Sequence, residues 1–112
     1  MKKQTTRRPP AHLGEAGSRW FRETVKQFDF TSEPEWELVA QAAQTLDRLA
    51  DCREQLARDG LTVATGQGGR KPHPALNAER DNKVLFARLC RELRLFEPVA
   101  DDTGRAPRIG GR

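Results

Sequence analysis

The chain has 112 residues, of which 32% are charged and only 6% aromatic, with no tyrosine and a formal net charge of +4. An apolar fraction of 36% supports one modest core and excludes a large one, since a chain this short buries roughly 60–65% of its unfolded surface. No apolar run approaches the ~18 residues of a membrane helix. Two cysteines, Cys52 and Cys90, are too few for a disulfide scaffold and suit a reducing cytoplasm.

The first dozen residues read as a flexible basic arm, with Lys2, Lys3, Arg7 and Arg8 and no acid. Behind the basic opening there is no apolar stretch, so it does not read as a signal peptide. From Leu13 to Phe28 the spacing of Leu13, Ala16, Trp20, Thr24 and Phe28 predicts a helix. Phe30-Thr31-Ser32 then forms a corner.

The strongest local signal follows. Ser32 with Glu35 three residues on is a capping box: the serine oxygen takes one orphan N–H and the glutamate returns to another. Pro34 is tolerated in a first turn, where its missing N–H has no helical partner. The helix is expected to run from residue 33 to Asp59 and stop at Gly60, a rod of roughly 40 Å at 1.5 Å per residue. On a helical wheel Trp36, Leu38, Val39, Ala42, Ala43, Leu46, Leu49, Ala50 and Ala57 form an apolar arc of ~160°, wider than the ~100° one packing partner requires. Self-association on this face is the favoured reading, with Trp36, Val39, Ala43, Leu46, Leu49, Ala50 and Leu56 as candidate interface residues. Contact with both other helices of the same chain is the alternative. Arg53 falls inside the arc and needs a partner carboxylate or a path to solvent.

Leu61 to Thr65 and the glycine-rich run 66–69 predict a short β-hairpin or an extended loop. The prolines at 72 and 74 then open a third helix over about Ala75 to Leu95. Its apolar side is Ala75, Ala78, Leu85, Phe86, Leu89, Leu93 and Phe96. Opposite runs a basic line of Arg80, Lys83, Arg91 and Arg94. From Pro98 onward the chain has no periodicity and reads as a tail. The expected architecture is therefore mainly α: three helices with a long central one, a hairpin or loop before the last, and assembly into a ring-forming oligomer. The organisation is a flexible basic arm over 1–12, a helical domain over 13–97 and a flexible C-terminal tail over 98–112.

Catalytic chemistry is not evident. The glycine loop fails the P-loop pattern because Arg70-Lys71 is followed by Pro72, and the dinucleotide pattern because Lys71 stands where its third glycine belongs. His12 and His73 lack zinc-ligand spacing, and Asp101-Asp102 reads as solvating charge in the tail, without the rigid carboxylates of a metal pair. No metal and no cofactor is expected. Charge layout is the informative feature: residues 32–59 carry seven acids against three bases, while residues 60–74 hold Arg70 and Lys71 unopposed. An acidic middle with basic ends suits an anionic partner held by arms and loops, with phosphate first. The candidate DNA-binding set is Lys2, Lys3, Arg7, Arg8, Arg70, Lys71, Arg80, Lys83, Arg91 and Arg94, with His73 beside the loop. For the helix line an alternative is docking on the acidic residues Asp47, Asp51 and Glu54 of a neighbouring copy, and Glu79–Lys83 reads as an ordinary i,i+4 pair.

One family fits these residues in order. Pro10-Ala11-His12-Leu13, the Ala16-Gly17 step and Trp20 open much like a phage terminase small subunit. So does the long helix ending at Gly60, then the glycine and basic turn running into Lys71-Pro72-His73-Pro74-Ala75 and a last amphipathic helix. The resemblance covers about residues 9–98. The chain departs from the family at Leu93-Arg94-Leu95, where a Leu-Gly-Leu closure is common, and at Asp101-Asp102, where an arginine-led stretch usually follows. The resemblance implies a non-catalytic component of viral DNA packaging in the bacterial host cytoplasm. Such subunits form homo-oligomeric rings, bind double-stranded viral DNA and hand it to the large terminase subunit, which carries the ATPase and nuclease.

Overall fold

The computed structural model describes residues 7–96. In chain order these form α1 (Glu15–Gln27), α2 (Glu33–Asp59), β1 (Thr62–Ala64), β2 (Arg70–Pro72) and α3 (Pro74–Glu92). The three expected helices are present, and the open choice at 61–72 resolves as an antiparallel hairpin pairing Thr62 with Pro72, Val63 with Lys71 and Ala64 with Arg70. Lys2, Lys3 and the tail from residue 97 on lie outside the described residues.

α2 is the element on which both other helices pack. Its start follows the sequence signal: Glu35 N–H donates to Ser32 Oγ at 3.3 Å, and Ser32 N–H returns to Glu35 Oε1 at 3.3 Å. Its end is Gly60, at φ 84°, a backbone that only glycine adopts without strain. Between these ends the wide apolar arc is divided within the chain. Val39 and Ala43 are buried completely against Phe21 of α1, while Ala42, Leu49 and Cys52 are also buried. Trp20 of α1 meets Phe86 of α3 edge-on, with centroids 5.4 Å apart, so all three helices close one core. Cys52 and Cys90 are buried free thiols, and burial pushes the Cys90 thiol upward in pKa.

The start of α1 depends on a residue far along the chain. Gly14, its N-cap, has no side chain to cap with, and the Asp47 carboxylate from the middle of α2 supplies the acceptors. Gly14 N–H donates to Asp47 Oδ2 at 2.6 Å and Gly17 N–H to Oδ1 at 2.7 Å. A carboxylate at a helix N-terminus answers both the orphan donors and the positive end of the dipole. Gly17 is also the point of closest approach, since a Cβ there would lie 2.6 Å from the Ala43 carbonyl oxygen. The expected start at Leu13 therefore moves inward to Glu15, and the other end stops at Gln27 because Phe28 turns extended.

α3 ends before Leu95 for a local reason. Leu95 N–H donates to the Cys90 carbonyl at 3.0 Å and Arg94 N–H to that of Arg91 at 2.9 Å, the paired bonds of a Schellman closure. Arg94 takes the left-handed position at φ 62°, which costs an L-residue roughly 1–2 kcal/mol. This is the position at which the sequence lacks a glycine.

Three substitutions test these contacts through stability. Asp47→Ala is expected to lower unfolding stability by about 1–2 kcal/mol, as loss of a helix cap does, and Gly17→Ala by about 1–3 kcal/mol through overpacking on Ala43. Arg94→Gly is expected to raise it by about 0.5–1 kcal/mol. Urea midpoints at constant m-value measure all three.

Candidate nucleic-acid interface

The hairpin and the outer side of α3 hold most of the described candidate cations. The strands of the hairpin make their main contacts with each other, and residues 66–72 are exposed throughout. Its tip is ordered by Thr65, whose Oγ1 accepts from Gly69 N–H at 3.1 Å and Gln67 N–H at 3.3 Å. Arg70 reaches diagonally across the strands: its Nε donates to Thr62 Oγ1 at 2.7 Å and a terminal nitrogen to the Thr62 carbonyl at 2.9 Å. Lys71 is exposed, with no partner among the described residues. Successive strand residues face opposite ways, so Arg70 and Lys71 are adjacent in sequence but occupy opposite faces of the hairpin.

His73 belongs to the scaffold and not to the cationic loop. It is buried, at 7% exposure, and caps α3: Ala75 N–H donates to its Nδ1 at 2.9 Å. Its Nε2 lies 2.9 Å from Asp59 Oδ2. With Nδ1 accepting, the ring proton sits on Nε2 and points at the carboxylate. A backbone bond from His73 N–H to the Leu61 carbonyl, 2.8 Å, completes the seam. Through its ring and its backbone N–H, one residue thus joins the end of α2, the root of the hairpin and the start of α3. The hydrogen bond from His73, aided by Arg58, holds the Asp59 carboxyl below its usual range.

On α3 the basic line is partly as expected. Arg80, Lys83 and Arg91 are exposed, and Arg80 lies 3.7 Å from Asp81 in an exposed pair of the kind worth little. Lys83 does not pair with Glu79. That carboxylate turns to Arg53 of α2 instead, at 3.4 Å, which supplies the partner Arg53 required. Arg94 leaves the line because it stands beyond the helix in the left-handed turn. Arg88, which the sequence reading passed over, joins the exposed cations of this helix without a partner among the described residues. Val84, 54% exposed, sits among them, while Leu85, 41% exposed, lies beyond their arc on the side toward α2. A wheel counted for charge alone would have found Arg88, 80° from Arg80.

In the arm, Arg8 is exposed but Arg7 is docked. Its guanidinium lies 4.4 Å from the Trp36 ring centroid and 3.2 Å from Glu33, a cation–π contact backed by an ion pair. No family model, characterised protein or solved structure matches the chain. Among the described residues no three His, Cys, Asp or Glu side chains group to hold a metal, and no helix is long and apolar enough to cross a membrane.

The candidate self-association face is reduced by the same packing. Val39, Ala43 and Leu49 are covered within the chain and offer nothing to a second copy. Trp36, Leu46 and Leu56 are half-buried and Ala50 is exposed. Asp47 is likewise unavailable to a neighbour's arginines, being engaged on α1, whereas Asp51 and Glu54 are exposed.

Two hydrogen-bonded carboxylates, Glu35 in its capping box and Asp59 at the His73 seam, set an acid response. Glu35 is held below its usual range by the N–H groups of Thr31 and then Ser32, as Asp59 is by His73. A carboxyl depressed in the fold contributes stability that is complete above its unfolded pKa and is lost as pH falls through the folded one. Stability should therefore decline on acidification below about pH 4, and Asp59→Asn should flatten that decline. Denaturant midpoints across pH measure it, and an identical decline in the variant would remove Asp59 from the account.

Proposed function

We propose that this chain is a non-catalytic DNA-packaging component of the terminase small-subunit type. It binds double-stranded viral DNA as a homo-oligomeric ring and regulates the large terminase subunit in the cytoplasm of the bacterial host. The observation that carries the reading is electrostatic. Lys71, Lys83, Arg88 and Arg91 are exposed and without carboxylate partners among the described residues. Of the nearby acids Glu79 is engaged on Arg53, Asp59 on His73 and Arg58, and Asp81 on Arg80, which leaves Glu92 as the exposed acid of α3 with no partner among the described residues. Cations left unneutralised on one helix and one hairpin favour a polyanion, which gains by releasing its counterions. The order of motifs from Pro10 to Ala75 supports the family, and the half-buried Leu46 and Leu56 with exposed Ala50 supply apolar surface for ring contacts, Trp36 being occupied by Arg7, Phe21 and Phe30 of its own chain.

A second reading rests on Val84 and Leu85. Apolar side chains exposed within and beside a line of cations also suit an acidic amphipathic protein, which would make the chain an oligomeric interaction adaptor with no nucleic-acid role.

Light scattering should give a concentration-stable mass well above that of one chain, and a strict monomer at micromolar concentration would sink the ring. Duplex affinity should fall steeply with salt, and the double change Lys83→Gln with Arg91→Gln should reduce the salt slope by about 2. An oligomer that ignores duplex DNA at low salt would favour the adaptor.

A further inference from the structure

Arg70 and Lys71 differ from the other candidate cations in lying on a two-stranded ribbon, one on each face. The glycine-rich tip, with Gly66, Gly68 and Gly69, carries little side-chain bulk. Gly68, at φ 87°, turns it tightly, and the Thr65 hydroxyl fixes it from within. Arg70 is held by Thr62 through two of its N–H donors, which leaves the others of its fork open. No acid occurs between residues 60 and 74.

Dimensions narrow what this ribbon can meet. Its strands lie ~4.8 Å apart, so with side chains it fits the ~12 Å major groove of duplex DNA and is too thick for the ~6 Å minor groove. At ~3.3 Å per residue, Arg70 and Lys71 stand roughly 7 and 10 Å back from Gly68 along the strand. The groove is ~8.5 Å deep, so cations at that height reach the phosphate-lined lips when the tip is at the floor.

We propose that the hairpin enters the major groove of duplex DNA tip first, with Arg70 and Lys71 on its opposite faces each contacting the phosphates of one groove wall. The inference rests on the DNA-binding reading above and adds the element, the groove and the two strands contacted. Thr62 is then a positioning residue, since it aims the Arg70 guanidinium and touches no phosphate itself.

The test uses the full chain and a mixed-sequence duplex. Methyl green, which occupies the major groove, should displace the protein, and distamycin, which occupies the minor groove, should not. Arg70→Gln and Lys71→Gln should each lower the salt slope by about 0.9 per bound hairpin, additively. Thr62→Val should weaken binding several-fold while leaving the slope unchanged, because the charge remains and only its aim is lost. Lys71 has no partner to lose within the described residues, so its variant keeps the test valid if Arg70→Gln loosens the hairpin. Displacement by distamycin, or unchanged slopes in both charge variants of a protein that still binds duplex, would overturn the groove assignment alone. Absence of duplex binding by the parent chain would overturn it together with the DNA-binding reading.

Discussion

A single carboxylate, that of Asp47, decides where α1 begins and how it lies on α2. Two backbone N–H groups converge on it from a helix that has no cap of its own, and the missing side chain of Gly17 lets that helix settle onto the Ala43 carbonyl. The rest of the core follows from this fixed start. One turn later Trp20 and Phe21 are set facing different neighbours, Phe86 of α3 and the Val39–Ala43 stretch of α2. Phe21 in turn meets Trp36, its ring centroid 6.0 Å away, and Trp36 meets Phe30 edge-on at 5.4 Å, closing the corner between the first two helices. Arg7 then covers the outer face of Trp36. A chain with few aromatics thus gathers most of them at one end of its long helix.

The opposite end is fastened by hydrogen bonds. His73 meets Asp59, Ala75 and Leu61 at once, so the hairpin is anchored at its root while its strands contact chiefly each other. This arrangement separates support from contact. The buried His73 fastens the hairpin root through its backbone N–H and is itself fixed by its ring, and the side chains of the exposed Arg70 and Lys71 have no structural duty except for the Thr62 bonds that orient one of them.

What was legible in the sequence was local. The Ser32–Glu35 box, the stop at Gly60 and the helical periods are written within a few neighbouring residues, and the fold reproduces them. Arg53's need for a carboxylate was legible as a cost, though Glu79 as its partner was not, because nothing local ties residues so distant. Asp47 shows the same gap: it serves a helix start 33 residues away, and on a wheel it is only another acid on a polar face. The wide apolar face of α2 favoured a second copy on the sequence alone, with contact to both other helices as the alternative, and much of it is met by α1 and α3 within the chain. Arg70 and Lys71 were grouped as one patch because adjacency in a loop places side chains together, whereas strand pairing separates them. Arg94 fell outside its line because the helix closes through a left-handed residue, and the composition there gave no glycine to mark it.

The contrast between the two ends of α2 has a further consequence for how the molecule loosens. Opening the aromatic corner uncovers Phe21, Trp36 and their neighbours, so that event is coupled to solvent through newly wetted apolar area and is steeply sensitive to denaturant. Opening the His73 seam uncovers mainly polar atoms and two short strands already in water. Local escape of the hairpin root therefore carries almost no denaturant dependence and little heat-capacity change. The same rod has one end governed by hydration of rings and the other by the geometry of a few polar bonds, so the blade end can fluctuate while the aromatic end stays shut.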